Sequence, residues 1–152
     1  ENGMRSGTEN VLGIIDFGFV AGSHLSRVSE NFEKTAIVKG VFLDNLDKRF
    51  IKIISGENSS PYIVSFSAKG LRGEVIMHML EEYGVIAGTG SACSSRQRHS
   101  RVLKNCGYGG DVLDGAIRIS FSDKSTESEA MFAAEKISEC IKKLKGVMDR
   151  NI

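Results

Sequence analysis

The sequence predicts an α/β domain of the layered α+β kind, a small sheet flanked by helices. Three observations point there. Apolar residues recur at helical spacing at both ends of the chain. Between them lie short runs rich in β-branched and aromatic residues, the composition of half-buried strands. Glycine-rich turns separate strand from helix, so neither pattern can extend into the other.

Ser6 and Glu9 have the spacing of a capping box, and Val11, Leu12, Ile14, Ile15, Phe19 and Leu25 follow as a helical apolar pattern. A second pattern runs through Val28, Phe32, Ala36, Val38, Val41, Phe42 and Leu46, with a break expected between Ser23 and Ser26. Ile51 to Ile54 reads as a short strand, Gly56 to Pro61 as a turn, and Tyr62 to Phe66 as a strand. Gly73 to Glu82 is helical, with Val75, Ile76, Met79 and Leu80 toward the core and Gly84 as a left-handed stop. Val85 to Ala87 reads as a brief strand, Ser100 to Asn105 as a short helix, and Ala116 to Phe121 as a strand. Thr126 and Glu129 cap a closing helix with Ala130, Ala133, Ala134, Ile137, Ile141 and Leu144 on one face.

The chain has 152 residues, enough for one domain with its own core. Hydrophobic residues make up 41% and charged residues 26%, and the formal net charge of +1 argues against a nucleic-acid-binding surface over the whole chain. No apolar run reaches the roughly 18 residues of a membrane span. Three cysteines without a CxxC pair argue against a disulfide framework and suit a reducing cytoplasm. The chain opens on Glu1-Asn2-Gly3-Met4 and enters a dense motif at once, which predicts one domain, residues 1–152, of a longer protein.

Cys93 is the leading chemical candidate. It sits in Gly88-Thr89-Gly90-Ser91-Ala92-Cys93-Ser94-Ser95, with Arg96, Arg98 and His99 behind it. Small residues allow close approach to the sulfur, and cations favour the thiolate. The alternative is a small buried side chain. Cys106 and Cys140 lack such surroundings, and Cys140 falls on the closing helix as a packing or surface residue. His24, His78 and His99 with the cysteines repeat no zinc spacing, so no metal site is expected. Cys93 with His99 as a hydrolytic pair lacks a third, orienting member.

Arg118 stands in an otherwise apolar strand. Either it points to solvent or, beside a cleft, it grips a carboxylate with its two-pronged fork. Arg5-Ser6-Gly7-Thr8 precedes a helix, where backbone N–H groups and hydroxyls suit either an ordinary cap or a phosphate. The basic run from Arg96 to Arg101 lacks the interleaved aromatics of a single-strand nucleic-acid binder, so no direct nucleic-acid contact is expected.

Seven segments occur in a telling order: Arg5-Ser6-Gly7-Thr8-Glu9-Asn10-Val11, Val64-Ser65-Phe66, Gly73-Glu74, Gly90-Ser91-Ala92-Cys93-Ser94-Ser95, Ser100-x-Val102-Leu103, Gly115-Ala116-Ile117-Arg118-Ile119-Ser120-Phe121 and Ser125-Thr126-x-x-Glu129. Together they resemble the C-terminal, small domain of a NifS/IscS-type cysteine desulfurase, a relative of the class V aminotransferases and a fold-type I pyridoxal phosphate enzyme. The resemblance covers nearly the whole chain, with the helices of residues 9–48 partly linking to the large domain.

The resemblance implies that Cys93 takes sulfur from L-cysteine as a persulfide and releases alanine. It implies that Arg118 holds the substrate carboxylate and that Thr8 reaches the cofactor phosphate of the partner subunit in a homodimer. It implies a cytoplasmic enzyme that hands sulfur to an acceptor protein, a cluster-assembly scaffold or one serving tRNA thiolation, with no membrane partner. The spacing from Gly88 to Leu103 resembles the long-loop branch of the family more than selenocysteine lyases. Two departures matter. Arg96, Arg98 and His99 stand where family members often carry a small residue and an acidic-proline pair, which suits an acidic or tRNA-bound acceptor. The family's cofactor-linking lysine, ring-stacking histidine and pyridine-facing aspartate lie upstream of the Arg-Ser-Gly-Thr motif, so this chain alone is expected neither to bind pyridoxal phosphate nor to turn over cysteine. A stand-alone sulfur carrier or protein-interaction module is the alternative.

Overall fold

The computed structural model describes residues 7–89 and 99–148. The sheet comes first, because it positions everything else. β1 (Ile51–Ile53), β2 (Ile63–Ala68) and β3 (Ala116–Ser120) pair antiparallel in the order β1-β2-β3. The register sets Lys52 opposite Ser67, Val64 opposite Ile119, Ser65 opposite Arg118 and Ser67 opposite Ala116. Side chains alternate across a strand. One face therefore carries Val64, Phe66, Ala68, Ile117 and Ile119, all buried, and the other carries Ser65, Ser67, Ala116, Arg118 and Ser120.

Helices cover the apolar face. α2 (Val28–Asn45) contributes Val38 and Phe42, α3 (Gly73–Glu81) contributes Ile76 and Leu80, and α6 (Glu127–Met148) contributes Ala130, Ala134, Ile137, Cys140 and Ile141. Phe42 packs against Phe66 and Phe121 at ring-centroid distances of 6.4 Å and 5.5 Å, tying α2 to the sheet. The expected face of α3 needs one correction. Ile76 and Leu80 are fully buried and Met79 packs at the margin, but Val75 is exposed. The reason is angular, since only the 76–80 ridge points straight at β3 and α6.

Local signals end these elements as the sequence suggests. Thr126 N donates to Glu129 Oε2 at 2.8 Å, and Glu129 N donates back to Thr126 Oγ1 at 3.2 Å, which is the reciprocal cap of α6. Gly84 has φ +72°, with its N–H on Glu81 O and the Val85 N–H on Leu80 O, a Schellman stop for α3. Lys39, almost wholly buried on α2, donates to Ser59 O, Ser59 Oγ and Ser60 O and so fastens the 56–61 turn. Burial lowers its pKa, and the three acceptors keep the ammonium hydrogen-bonded.

Three expectations are corrected, and two short elements are added. Residues 85–87 form no strand; only Gly88 makes a bridge, to Arg118, and Ile86 is exposed. Residues 111–114 form a one-turn helix, α5 (Asp111–Asp114), and residues 48–50 a 3-10 turn, both unforeseen. The short helix α4 is Arg101–Asn105, with Ser100 as its cap rather than its first residue. The N-cap of the first helix is Asn10, whose side chain accepts from Gly13 N at 3.1 Å, while Ser6 of the expected capping box lies outside the described residues.

That first helix, α1 (Val11–Leu25), stands apart. It meets α2 at a bend of 65° after Leu25. None of its residues is buried, and Val11, Leu12, Ile14, Ile15, Phe17, Phe19, Val20 and Leu25 are each more than half exposed. No single helix among the described residues is long and apolar enough to cross a membrane; α1 and α2 meet that criterion only as a bent pair.

Candidate functional site

The polar face of the sheet holds the site. Arg118 is its one charged member on β3, flanked by the short side chains of Ser65 across the sheet and of Ala116 and Ser120 along the strand. Its backbone N–H and C=O point away from β2. They are met by Gly88, with Arg118 N to Gly88 O at 2.6 Å and Gly88 N to Arg118 O at 3.0 Å. A Cβ at position 88 would stand 3.2 Å from Arg118 Nη2. The guanidinium thus lies directly over a residue with no side chain.

A cavity of about 200 Å³ opens beside it, lined by Ser65, Gly88, Thr89, Ser100, Leu103 and Arg118, among others. The cavity is the size of a small metabolite. None of the ion pairs among the described residues uses Arg118. An exposed guanidinium fork at the edge of such a cavity is built to receive a carboxylate through two parallel hydrogen bonds. Arg118 is exposed, as the first of its two sequence readings has it, and borders a cleft, as the second requires.

The backbone under the site is set by two close approaches. A Cβ at Gly73 would come within 2.6 Å of Ala116 O, so the first turn of α3 lies against the backbone of β3. A Cβ at Gly115 would overlap Ala68 O, and Ala68 N donates to Gly115 O at 3.0 Å. The chain entering β3 is therefore pressed onto β2 just ahead of Arg118.

Cys93, Arg96 and Arg98 lie outside the described residues. Thr89 and Ser100, the cavity-lining residues on either side in sequence, are described. His99 Nε2 is 2.8 Å from Asp114 Oδ1, each side chain about one-third exposed. His99 thus has a carboxylate partner on α5, which the sequence reading missed. Histidine and aspartate are fifteen positions apart across irregular chain, where no periodicity marks them. Thr8 is exposed in the stretch leading into α1 and is not part of the cavity lining beside Arg118. Cys106 is exposed at the end of α4. Cys140 is buried on α6, and burial pushes its thiol pKa up, which makes it a packing residue. Among the described residues no three His, Cys, Asp or Glu side chains are grouped to hold a metal.

The profile of the family described as aminotransferase class-V matches residues 1–131. The chain belongs to that family. Class V aminotransferases are pyridoxal phosphate enzymes. Within the family, this class V segment is 30% identical over 148 residues to the cysteine desulfurase IscS of Clostridium botulinum, covering 93% of this chain and 37% of that protein. It is 33% identical over 156 residues to a cysteine desulfurase of Nostoc, covering 97% of this chain and 38% of that one. A solved NifS-like protein superposes with a TM-score of 0.75 at 27% identity, over 92% of this chain and 36% of its own. The chain spans under two-fifths of the length of the relatives it matches. Among the described residues, the lining beside Arg118 has no lysine to link the aldehyde of pyridoxal phosphate and no carboxylate to face its ring nitrogen. The described residues thus fit a substrate carboxylate and do not by themselves fit the cofactor.

Proposed function

We propose that this chain is the C-terminal domain of a pyridoxal-phosphate-dependent cysteine desulfurase, with Arg118 holding the carboxylate of L-cysteine and Cys93 accepting its sulfur. One observation carries the reading most. The segment bearing Cys93 is flanked in sequence by Thr89 and Ser100, and both line the cavity onto which Arg118 opens. This supports assigning the sulfur acceptor and the carboxylate clamp to one site, the arrangement that the resemblance to cysteine desulfurases implies.

In this reading the Cys93 thiolate attacks the substrate sulfur. A sulfur–sulfur bond forms as the carbon–sulfur bond breaks, the carbon takes a proton, and the products are a persulfide on Cys93 and alanine. The cofactor and its lysine belong to the rest of the protein, and Thr8 serves the cofactor phosphate across a homodimer. The persulfide passes to an acceptor protein in the cytoplasm. With His99 paired to Asp114, an acidic or tRNA-bound acceptor would be drawn by Arg96 and Arg98.

Cys93→Ser in the complete protein tests the reading. Alanine and sulfide formation from cysteine is expected to be lost, while retention of full activity would overturn the assignment of the nucleophile. The 152-residue chain alone is expected to show no absorbance of lysine-bound cofactor after incubation with pyridoxal phosphate; a stoichiometric complex would return the cofactor site to this chain.

A further inference from the structure

We infer that His99 and Asp114 are positioning residues for sulfur transfer, fixing where the chain re-enters the site after residues 90–98. This rests on the desulfurase reading above. The two ends of that nine-residue stretch are held in different ways. Ahead of it, Gly88 is clamped to Arg118 by the paired backbone hydrogen bonds of the bridge. Behind it, α4 has no fully buried residue; Val102 is 69% exposed and only Leu103 is partly covered, so apolar packing holds this helix weakly. What fastens its leading end is the His99–Asp114 bond, with Ser100 Oγ accepting from Leu103 N one residue later.

Asp114 can serve as an anchor because its own support is the sheet. It ends α5, and the next residue, Gly115, is pressed against Ala68. Ser67 Oγ approaches Asp111 O at 3.4 Å at the other end of α5. Four positions beyond Asp114 stands Arg118. Both ends of the Cys93 segment are therefore referred to the short unit from Asp114 to Arg118, which also carries the carboxylate clamp.

A role in positioning predicts a divided effect. Substrate binding depends on Arg118 and stays intact, while the approach of the acceptor thiol suffers. In the complete protein, Asp114→Ala and His99→Ala are expected to slow persulfide formation on Cys93 by roughly tenfold to a hundredfold. KM for cysteine is expected to stay within about twofold, the pattern of an interaction that matters in the transition state. His99→Gln, whose amide can donate to Asp114, is expected to keep the rate within about threefold of the parent. Wild-type persulfide rates in both alanine variants, with Cys93→Ser inactive, would overturn this inference and leave the desulfurase reading standing. An active Cys93→Ser protein would overturn both. Loss of folding in both alanine variants, parallel changes in kcat and KM, or failure of His99→Gln to restore the rate would make the pair structural and overturn the positioning role.

Discussion

α1 and α6 were both legible as helices, yet they live in opposite surroundings. α6 buries one stripe, Ala130, Ala134, Ile137, Cys140 and Ile141, and turns Glu135, Glu139 and Lys142 outward. α1 is apolar around most of its circumference and buries nothing. A helix apolar on all sides belongs to an interior, so α1 is built for a contact that the described residues do not supply. The difference teaches that periodicity reports the helix, whereas burial reports the partner. Part of this chain is a finished core, and part leaves its apolar side chains uncovered among the described residues.

The contrast can be broken at its strongest point with one aromatic from each region. Phe42→Ala is expected to cost about 3–5 kcal/mol, because it empties a fully buried site between α2 and the sheet. Phe19→Ala on α1 is expected to change stability by less than about 0.5 kcal/mol. Urea unfolding of the two variants decides the matter; a loss above about 2 kcal/mol at Phe19 would make α1 part of the cooperative core.

Glycines sharpen the same contrast. Gly73→Ala drives a methyl into the Ala116 carbonyl and is expected to destabilise by about 1–3 kcal/mol. Gly18→Ala on α1 meets no atom within 4 Å and is expected to raise the helicity of α1 while changing global stability by less than about 0.5 kcal/mol. The thermal melt should fall for Gly73→Ala and stay in place for Gly18→Ala.

The smallest effect is electrostatic. Asp47, just beyond α2, accepts hydrogen bonds from Arg49 and contacts Lys142 of α6 at 3.1 Å. Hydrogen bonds from Arg49 and then Lys142 hold its carboxyl well below the usual carboxylate range. A folded-state pKa lowered in this way adds stability above the ordinary pKa of about 4 and loses it as pH falls through the folded value. Asp47→Asn should therefore lower stability slightly at neutral pH and make the acid limb of the stability curve shallower from about pH 5 downward. An unchanged acid limb would show that this surface tie contributes nothing.

Elements whose signals are local were readable from the sequence. α6 announces itself through the Thr126–Glu129 cap and a clean apolar stripe, and α3 through the stop at Gly84. β3 was readable because Ala116 to Phe121 is flanked by glycine and polar residues. Residues 85–87 looked like a strand because they are short and apolar, but a strand needs a partner, and only Gly88 reaches one. α5 escaped notice because one turn among glycines has no period. At the site, Arg118 and Cys93 stood out by their chemistry in the wrong company. The His99–Asp114 bond and the seat that Gly88 provides did not, because both arise from chain segments that meet only in the fold.

The bridge at Gly88 has a second consequence. A three-stranded antiparallel sheet in the order β1-β2-β3 leaves two rims of unpaired peptide groups, each a template for a strand from another molecule. On β1 the rim is only three residues long and carries Lys52. On β3 the outward peptide groups of Arg118, at the middle of the strand, are already taken by Gly88. The contact that seats Arg118 thus also shields the middle of this rim from cross-molecular strand addition. A substitution that loosens Gly88 would expose that rim at the point where it would also disturb the proposed carboxylate clamp.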